Sequence, residues 1–221
     1  RSKKVILEEY IPNDTFQIAG DGYVINERLT FMGLAKENFK KKGIKVLPIG
    51  ESFPFTKDKK LKKSIFKEIN RFIRKVNFKF GAINLDIKIF KNRIYLMEIG
   101  PRNGGNLIPQ AIKYYKNVDL VKATIDSYLG NKVKLKENIK DKFCATYIAH
   151  SNKSGFFKKI IIDDKIKKNI IENYIWKKKG EKINKFDNAS MGLGGFILKF
   201  NSQREMDLKF DKIEKYIKVL V

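Results

Sequence analysis

The segment that most constrains this chain runs from Gly81 to Gly105, where apolar and polar residues alternate on both sides of a short turn. Side chains alternate faces along a strand. Ile83, Leu85, Ile87 and Ile89 therefore point one way, and Tyr95, Met97 and Ile99 match them on the returning strand. Asn84, Asp86, Lys88 and Glu98 point the other way. Strands are expected over 82–90 and 94–99, joined by Lys91-Asn92-Arg93. A hairpin centred on Asn92 keeps both apolar sets on one face. In that register Asp86 stands directly opposite Glu98, about 5 Å apart at Cβ, and Asn84 stands opposite Gly100.

Two like charges that face each other repel unless something holds them. A divalent cation is the simplest remedy. Mg²⁺ takes carboxylate oxygens and keeps positions open for water or substrate phosphates. Two plainer readings stand beside it: a surface pair relieved by Lys88, or a register slip of one residue. The sequence after Glu98 adds to the cation reading. Arg102 supplies a permanent positive charge suited to phosphate or an acyl phosphate. Gly104 and Gly105 allow backbone to approach a ligand closely. An ordinary glycine-rich turn with an exposed arginine is the alternative.

Around this hairpin, residues 4–11 read as a strand ending at Pro12-Asn13-Asp14. Thr15–Ala19 and Tyr23–Phe31 read as strands of a meander, with Gly20-Asp21-Gly22 as the turn, and 43–50 as a loop or short edge strand. Residues 57–76 predict a helix, because Leu61, Ile65, Ile69, Phe72, Ile73 and Val76 fall on one stripe. Asn106–Lys116 predicts a helix with Pro109 in its first turn. Asp119–Leu129 predicts another, with Asn117 as N-cap and Gly130 as its stop. Strands are expected over 143–149, 156–162, 170–178 and 196–200, and one last helix over 202–219. The fold class is α+β, mostly antiparallel sheet flanked by helices. A polar, lysine-rich stretch at 131–141 suggests a first unit over 1–130 and a small C-terminal subdomain over 131–221.

The 221 residues carry a formal net charge of +24, which invites a nucleic-acid reading. The positives are overwhelmingly lysine and are spread along the chain, as solvated faces are. Arginine, the planar fork preferred for base and phosphate recognition, is sparse. Nucleic acid is therefore not the expected partner. With 43% hydrophobic residues the chain is not a disordered one. Cys144 is the single cysteine, so no internal disulfide forms, and no Cys/His set has zinc spacing. No apolar run approaches the roughly 20 residues of a membrane span. A cytoplasmic location is the default expectation. The chain opens at Arg1 directly before the core-type run Val5-Ile6-Leu7, and reads as part of a longer protein.

The hairpin and its tail resemble the metal-binding core of the ATP-grasp ligases, in particular the carbamoyl-phosphate synthase large-chain and biotin carboxylase branch. The resemblance is carried by Gly81, by Asn84-Leu85-Asp86, and by Tyr95-Leu96-Met97-Glu98-Ile99-Gly100-Pro101-Arg102. Asn106-Leu107-Ile108-Pro109, Asn117-Val118-Asp119-Leu120 and Leu129-Gly130 continue it. Val5 to Ile11 is similar to the hinge strand whose backbone grips adenine. It covers 1–130 well and continues weakly through 141–221, similar to the C-terminal subdomain of several such ligases. The resemblance implies the C-terminal lobe and part of the lid of an ATP-grasp fold. It implies Mg²⁺ (or Mn²⁺) held by Asp86, Glu98 and Asn84 between the phosphates of ATP. Arg102 would be the catalytic cation, stabilising the transferring phosphoryl group. Glu8, Glu9, Tyr10 and Ile11 would contact adenine, and Lys36 a phosphate. Asp14 is the nearest candidate for a ribose-binding acid. The family's third metal ligand, an Asn, is Gly100 here, and Asn84 opposite it could partly compensate.

The function implied is ATP-dependent joining of a carboxylate (or bicarbonate) to an amine through an acyl phosphate. The partners implied are those small molecules and an N-terminal lobe of the same parent chain, with a homodimer allowed. This chain alone would be inactive. A nucleotide-binding relative without turnover is the second reading, kept open by Gly100. A basic nucleic-acid-binding module is the third. His150 reads as structural or substrate-side rather than catalytic.

Overall fold

The computed structural model describes residues 4–12, 16–42, 45–137 and 142–221. The order of elements is β1 (Phe16–Ile25), β2 (Arg28–Lys42), β3 (Lys45–Phe53), α1 (Lys59–Lys75), β4 (Phe80–Phe90), β5 (Arg93–Gly100), α2 (Ile108–Lys116) and α3 (Leu120–Tyr128). There follow β6 (Phe143–Ala149), β7 (Gly155–Phe156), β8 (Lys159–Ile162), α4 (Asp164–Lys167), β9 (Ile170–Ile175) and β10 (Lys182–Ile183). A 3-10 turn at Ala189–Met191 leads to β11 (Gly194–Phe200), α5 (Gln203–Phe210), α6 (Ile213–Tyr216) and β12 (Ile217–Leu220). Eight strands form one sheet in the order β5-β4-β1-β2-β3-β6-β11-β9. Every neighbouring pair in it is antiparallel. The α+β class with mostly antiparallel sheet is what the alternating segments require.

Helices cover both faces. The apolar stripe of α1 sets Ile65, Ile69 and Ile73 against Ile18, Leu34, Leu85 and Ile87. Asp58 caps that helix, its side chain accepting from the Lys60 and Leu61 amides. On the opposite face, α2 and α3 pack Ile108, Ala111, Ile112 and Ala123 over Ala19, Tyr23, Ala35 and Phe53. A third core joins Tyr147, Phe196 and Leu198 to Met206, Phe210 and Ile213 of α5 and α6. Strands from both sides of residue 131 share the one sheet, through the β3–β6 pairing.

Several expected elements differ. Residues 4–12 form no strand; Val5, Ile6 and Leu7 are 85–94% exposed and pair with no strand among the described residues. Gly20-Asp21-Gly22 is not a turn. β1 runs straight through it, and the chain turns at Asn26-Glu27, both at positive φ. A Cβ on Gly20 would meet the Gly33 carbonyl at 2.3 Å, so these glycines serve close strand approach, not reversal. β3 is an interior strand, not an edge. Asn117 is the left-handed C-cap of α2, and Asp119 caps α3 by accepting from the Lys122 amide. The strand expected over 156–162 splits into β7 and β8, which pair with β10 and β12. The last helix also breaks: it ends at Phe210, and Ile217-Lys218-Val219-Leu220 alternates and pairs with β8 as β12. Of the expected stripe, Met206, Phe210, Ile213 and Ile217 are buried, while Leu220, in β12, is 37% exposed.

Candidate active site

Asp86 pairs directly with Glu98, and Asn84 with Gly100. The expected pairing holds, but not through the expected turn. The turn has two residues, Lys91 and Asn92, both at positive φ, as a tight hairpin twist requires. That alone would shift the register by one. A bulge between Asp86 and Ile87 restores it: Ile87 pairs with Leu96, and Met97 is the extra residue, 45% exposed. The bulge also corrects the faces. Ile94, Leu96 and Ile99 pack on the α1 core, while Tyr95 pairs with Lys88 on the other face.

On β1, Ala19 lies opposite Asp86, Asp21 opposite Asn84 and Gln17 opposite Lys88. Burial and the facing Glu98 raise the Asp86 carboxyl above the ordinary carboxylate range, and Arg102 opposes them. Asp86, Glu98 and Arg102 are thus one electrostatic group. Arg102 sits in a braced turn: its amide donates to Gly100 O at 2.8 Å and its Nη1 to Asn103 O at 2.9 Å. A Cβ on Gly104 would come within 2.6 Å of Asp21 Oδ1 and 2.8 Å of Asn84 Nδ2, so glycine is what lets the loop lie against the hairpin.

Three acids on this face were missed in the sequence. Asp21 is fully buried and accepts from Asn84 Nδ2 at 3.0 Å and the Gly104 amide at 2.9 Å. Burial pushes it up to about 6. Glu37, pushed up to about 7 by burial and by Asp86, has a buried Oε2 with no hydrogen-bond partner among the described residues. Glu51 is 1% exposed and pushed up to about 8 by burial; it accepts from the Thr146 hydroxyl. The glycines around Asp21 hid it in an apparent turn. An acid inside an otherwise apolar strand, as at Glu51, was the signal for the others.

The remaining candidates are placed as follows. Glu8, Glu9 and Tyr10 are exposed, and Ile11 offers its carbonyl to Lys88 Nζ at 3.3 Å. That brings the end of the segment over the face that carries Asp86. Lys36 pairs with Ile18 and shares the alternation of Leu34, so it lies on the opposite face and is not brought to the carboxylates. Lys88, 8% exposed, does lie on that face, two residues from Asp86 on β4. Asp14 lies outside the described residues. His150 stacks on Phe186 with centroids 4.3 Å apart and meets Lys40 Nζ at 3.1 Å and Glu214 at 3.4 Å, remote from the hairpin.

The donor set fits a hard cation that keeps open positions. Among the described residues no three of His, Cys, Asp and Glu converge to hold a metal. Two carboxylates and the Asn84 amide oxygen leave several positions for water and phosphate, as Mg²⁺ prefers. Gly100 is not a glycine for lack of space: its nearest neighbour to an added Cβ is Arg102 Cγ, at 3.6 Å.

The chain superposes on phosphoribosylglycinamide synthetase from Anaerococcus prevotii with a TM-score of 0.82 at 18% identity, over 96% of this chain and 55% of that one. The L-amino acid ligase from Bacillus licheniformis gives 0.80 at 17% identity, over 94% and 52%. The fold is that of the ATP-grasp ligases. The biotin carboxylase domain dimer of Hydrogenobacter thermophilus 2-oxoglutarate carboxylase, in complex with MgADP, ADP and bicarbonate, gives 0.69 at 11% identity, over 96% and 47%. This chain therefore spans about half the length of the ATP-grasp structures it matches. Neither a protein-family model nor a curated protein matches it. Among the described residues no helix is long and apolar enough to cross a membrane.

Proposed function

We propose that this chain is the metal-binding lobe of an ATP-dependent ligase that joins a carboxylate to an amine. The observation that carries the reading is the register of Asp86 opposite Glu98, with Arg102 acting on the same charge. Asp86, Glu98 and the Asn84 amide oxygen hold Mg²⁺, or Mn²⁺ in its place. When bound, the ion neutralises phosphate oxygens of ATP and draws charge from the leaving diphosphate. Arg102 holds the transferring phosphoryl group and then the acyl phosphate, on a loop braced by its own backbone bonds. Lys88, rather than Lys36, supplies the lysine charge beside the phosphates. The segment Glu8 to Ile11 contacts adenine, chiefly through backbone groups.

The carboxylate substrate attacks the terminal phosphorus and ADP leaves. The amine then attacks the acyl carbon and phosphate leaves. The residues contribute positioning and charge neutralisation, and no protein nucleophile is needed. The second lobe is supplied by the same parent chain; a homodimer and a cytoplasmic location belong to the same proposal. The MgADP complex of a similar fold supports the cofactor assignment.

The test is ADP and phosphate release by the full-length protein over a panel of carboxylates and amines. Release that needs a carboxylate supports ligation. Nucleotide binding without release on any substrate supports the second reading, a binding relative without turnover. Gly100, where the family carries a ligand, is the observation that favours that alternative.

A further inference from the structure

Asp21 lies outside the hairpin, yet it is fully enclosed, 0% exposed. Both of its oxygens are occupied. Oδ1 accepts from Asn84 Nδ2 at 3.0 Å, and Oδ2 from the Gly104 amide at 2.9 Å. Asn84 Nδ2 also donates to the Gly20 carbonyl at 3.1 Å. A carboxamide nitrogen has two hydrogens, so both are used. The other end of Asn84, its Oδ1 acceptor, is left for the face it shares with Asp86 and Glu98. Reversing the amide would set Oδ1 against a carboxylate oxygen and a carbonyl oxygen, with no proton between them. The hydrogen-bond network thus assigns the amide orientation.

The same carboxylate fixes the loop. Gly104 follows Arg102 by two residues, and its amide is tied to β1 through Asp21 Oδ2. One buried group therefore reaches both the amide opposite Gly100 and the arm that carries Arg102.

We propose that Asp21 is a positioning residue: it turns the Asn84 oxygen toward the cation and pins the Arg102 loop beside it. The proposal rests on the cation reading given above. Partners of this kind typically change metal affinity by about 10–100-fold when removed.

The experiment is a Mn²⁺ titration of the full-length protein with ATP, followed by electron paramagnetic resonance, with circular dichroism and thermal melting alongside. Asp21→Asn keeps the shape. Because both carboxylate oxygens accept from N–H groups, the amide sets its own NH₂ against a donor in either orientation. Mn²⁺ affinity is expected to fall about 10-fold or more with the fold intact. Asp21→Asn is also made in an Asn84→Asp background, where it restores the donor–acceptor pair between the two side chains: there it is expected not to weaken Mn²⁺ relative to Asn84→Asp alone, and an equal loss in both backgrounds overturns the proposal. A folded Asp21→Asn variant that binds Mn²⁺ like the wild type overturns the proposal. Should that variant fail to fold, Gly104→Ala wedges the same pair from the loop side, and unchanged Mn²⁺ affinity there overturns it equally. A wild type that takes no Mn²⁺ overturns the cation reading itself, and this proposal with it.

Discussion

Glu37 on β2 stands directly opposite Glu51 on β3, on the face of the sheet that carries Asp86. Burial pushes Glu51 up to about 8, and burial with Asp86 pushes Glu37 up to about 7. Both values lie above the ordinary 4.5. The folded chain therefore binds more protons than the unfolded one between these limits. Their contribution to stability is complete below about pH 4.5 and is lost as pH rises through about 7 to 8. Urea unfolding is expected to show a fall in stability from pH 5 to 9. Glu51→Gln, which keeps an acceptor for Thr146, is expected to flatten the slope and add on the order of 2–4 kcal/mol at pH 8. An unchanged slope in that variant would contradict the assignment.

The Lys40–Glu214–His150 cluster acts in the opposite direction. His150 first, and Lys40 with it, hold the Glu214 carboxyl down to about 2. A depressed acid contributes stability above its ordinary pKa and loses it as pH falls through the folded value, so this contribution disappears between about pH 4.5 and 2. The Glu214 side chain is 36% exposed, which screens the effect. Glu214→Gln is expected to cost roughly 1 kcal/mol at pH 7 and nothing at pH 2. Equal cost at both would show that packing, not charge, matters there.

Gly100 is open to enlargement, since an added Cβ meets nothing nearer than 3.6 Å. Gly100→Asn adds an acceptor beside Asn84 and is expected to tighten Mn²⁺ several-fold without lowering the melting temperature. Weaker binding would place the cation elsewhere on the face.

The α1 interface offers a test of the fold. Ile69 is fully buried and Phe66, three residues earlier, is 39% exposed. Ile69→Ala is expected to cost about 2–5 kcal/mol and Phe66→Ala much less. Similar costs, read by urea unfolding, would mean that the helix packs by another stripe.

Much of this was legible in the sequence, though not always for the reason expected. Period-two alternation located β4 and β5, and the 3.6-residue stripe located α1. The pairing of Asp86 with Glu98 came out correctly because two departures cancelled: a turn one residue shorter, and a bulge that inserts Met97. Alternation cannot reveal a bulge, so it puts Tyr95 on the wrong face and counts Met97, which is 45% exposed, with the apolar set. Asp21 was lost because glycine in a strand looks locally like glycine in a turn, and only the neighbouring strand distinguishes them. The tail helix failed at β12 for a related reason: Ile213 and Ile217 satisfy helical spacing, while Ile217 and Val219 also satisfy a strand. Residues 4–11 show the reverse limit, since an apolar run becomes a strand only where a partner strand lies alongside.

The central claim is that Asp86 and Glu98 together hold the cation of Mg-ATP. The most direct test is carboxylate-dependent ADP release by the full-length protein with Asp86→Asn and with Glu98→Gln, each checked for an unchanged melting temperature. The account predicts that either substitution abolishes release while the protein stays folded. Release at the wild-type rate from either folded variant would contradict it.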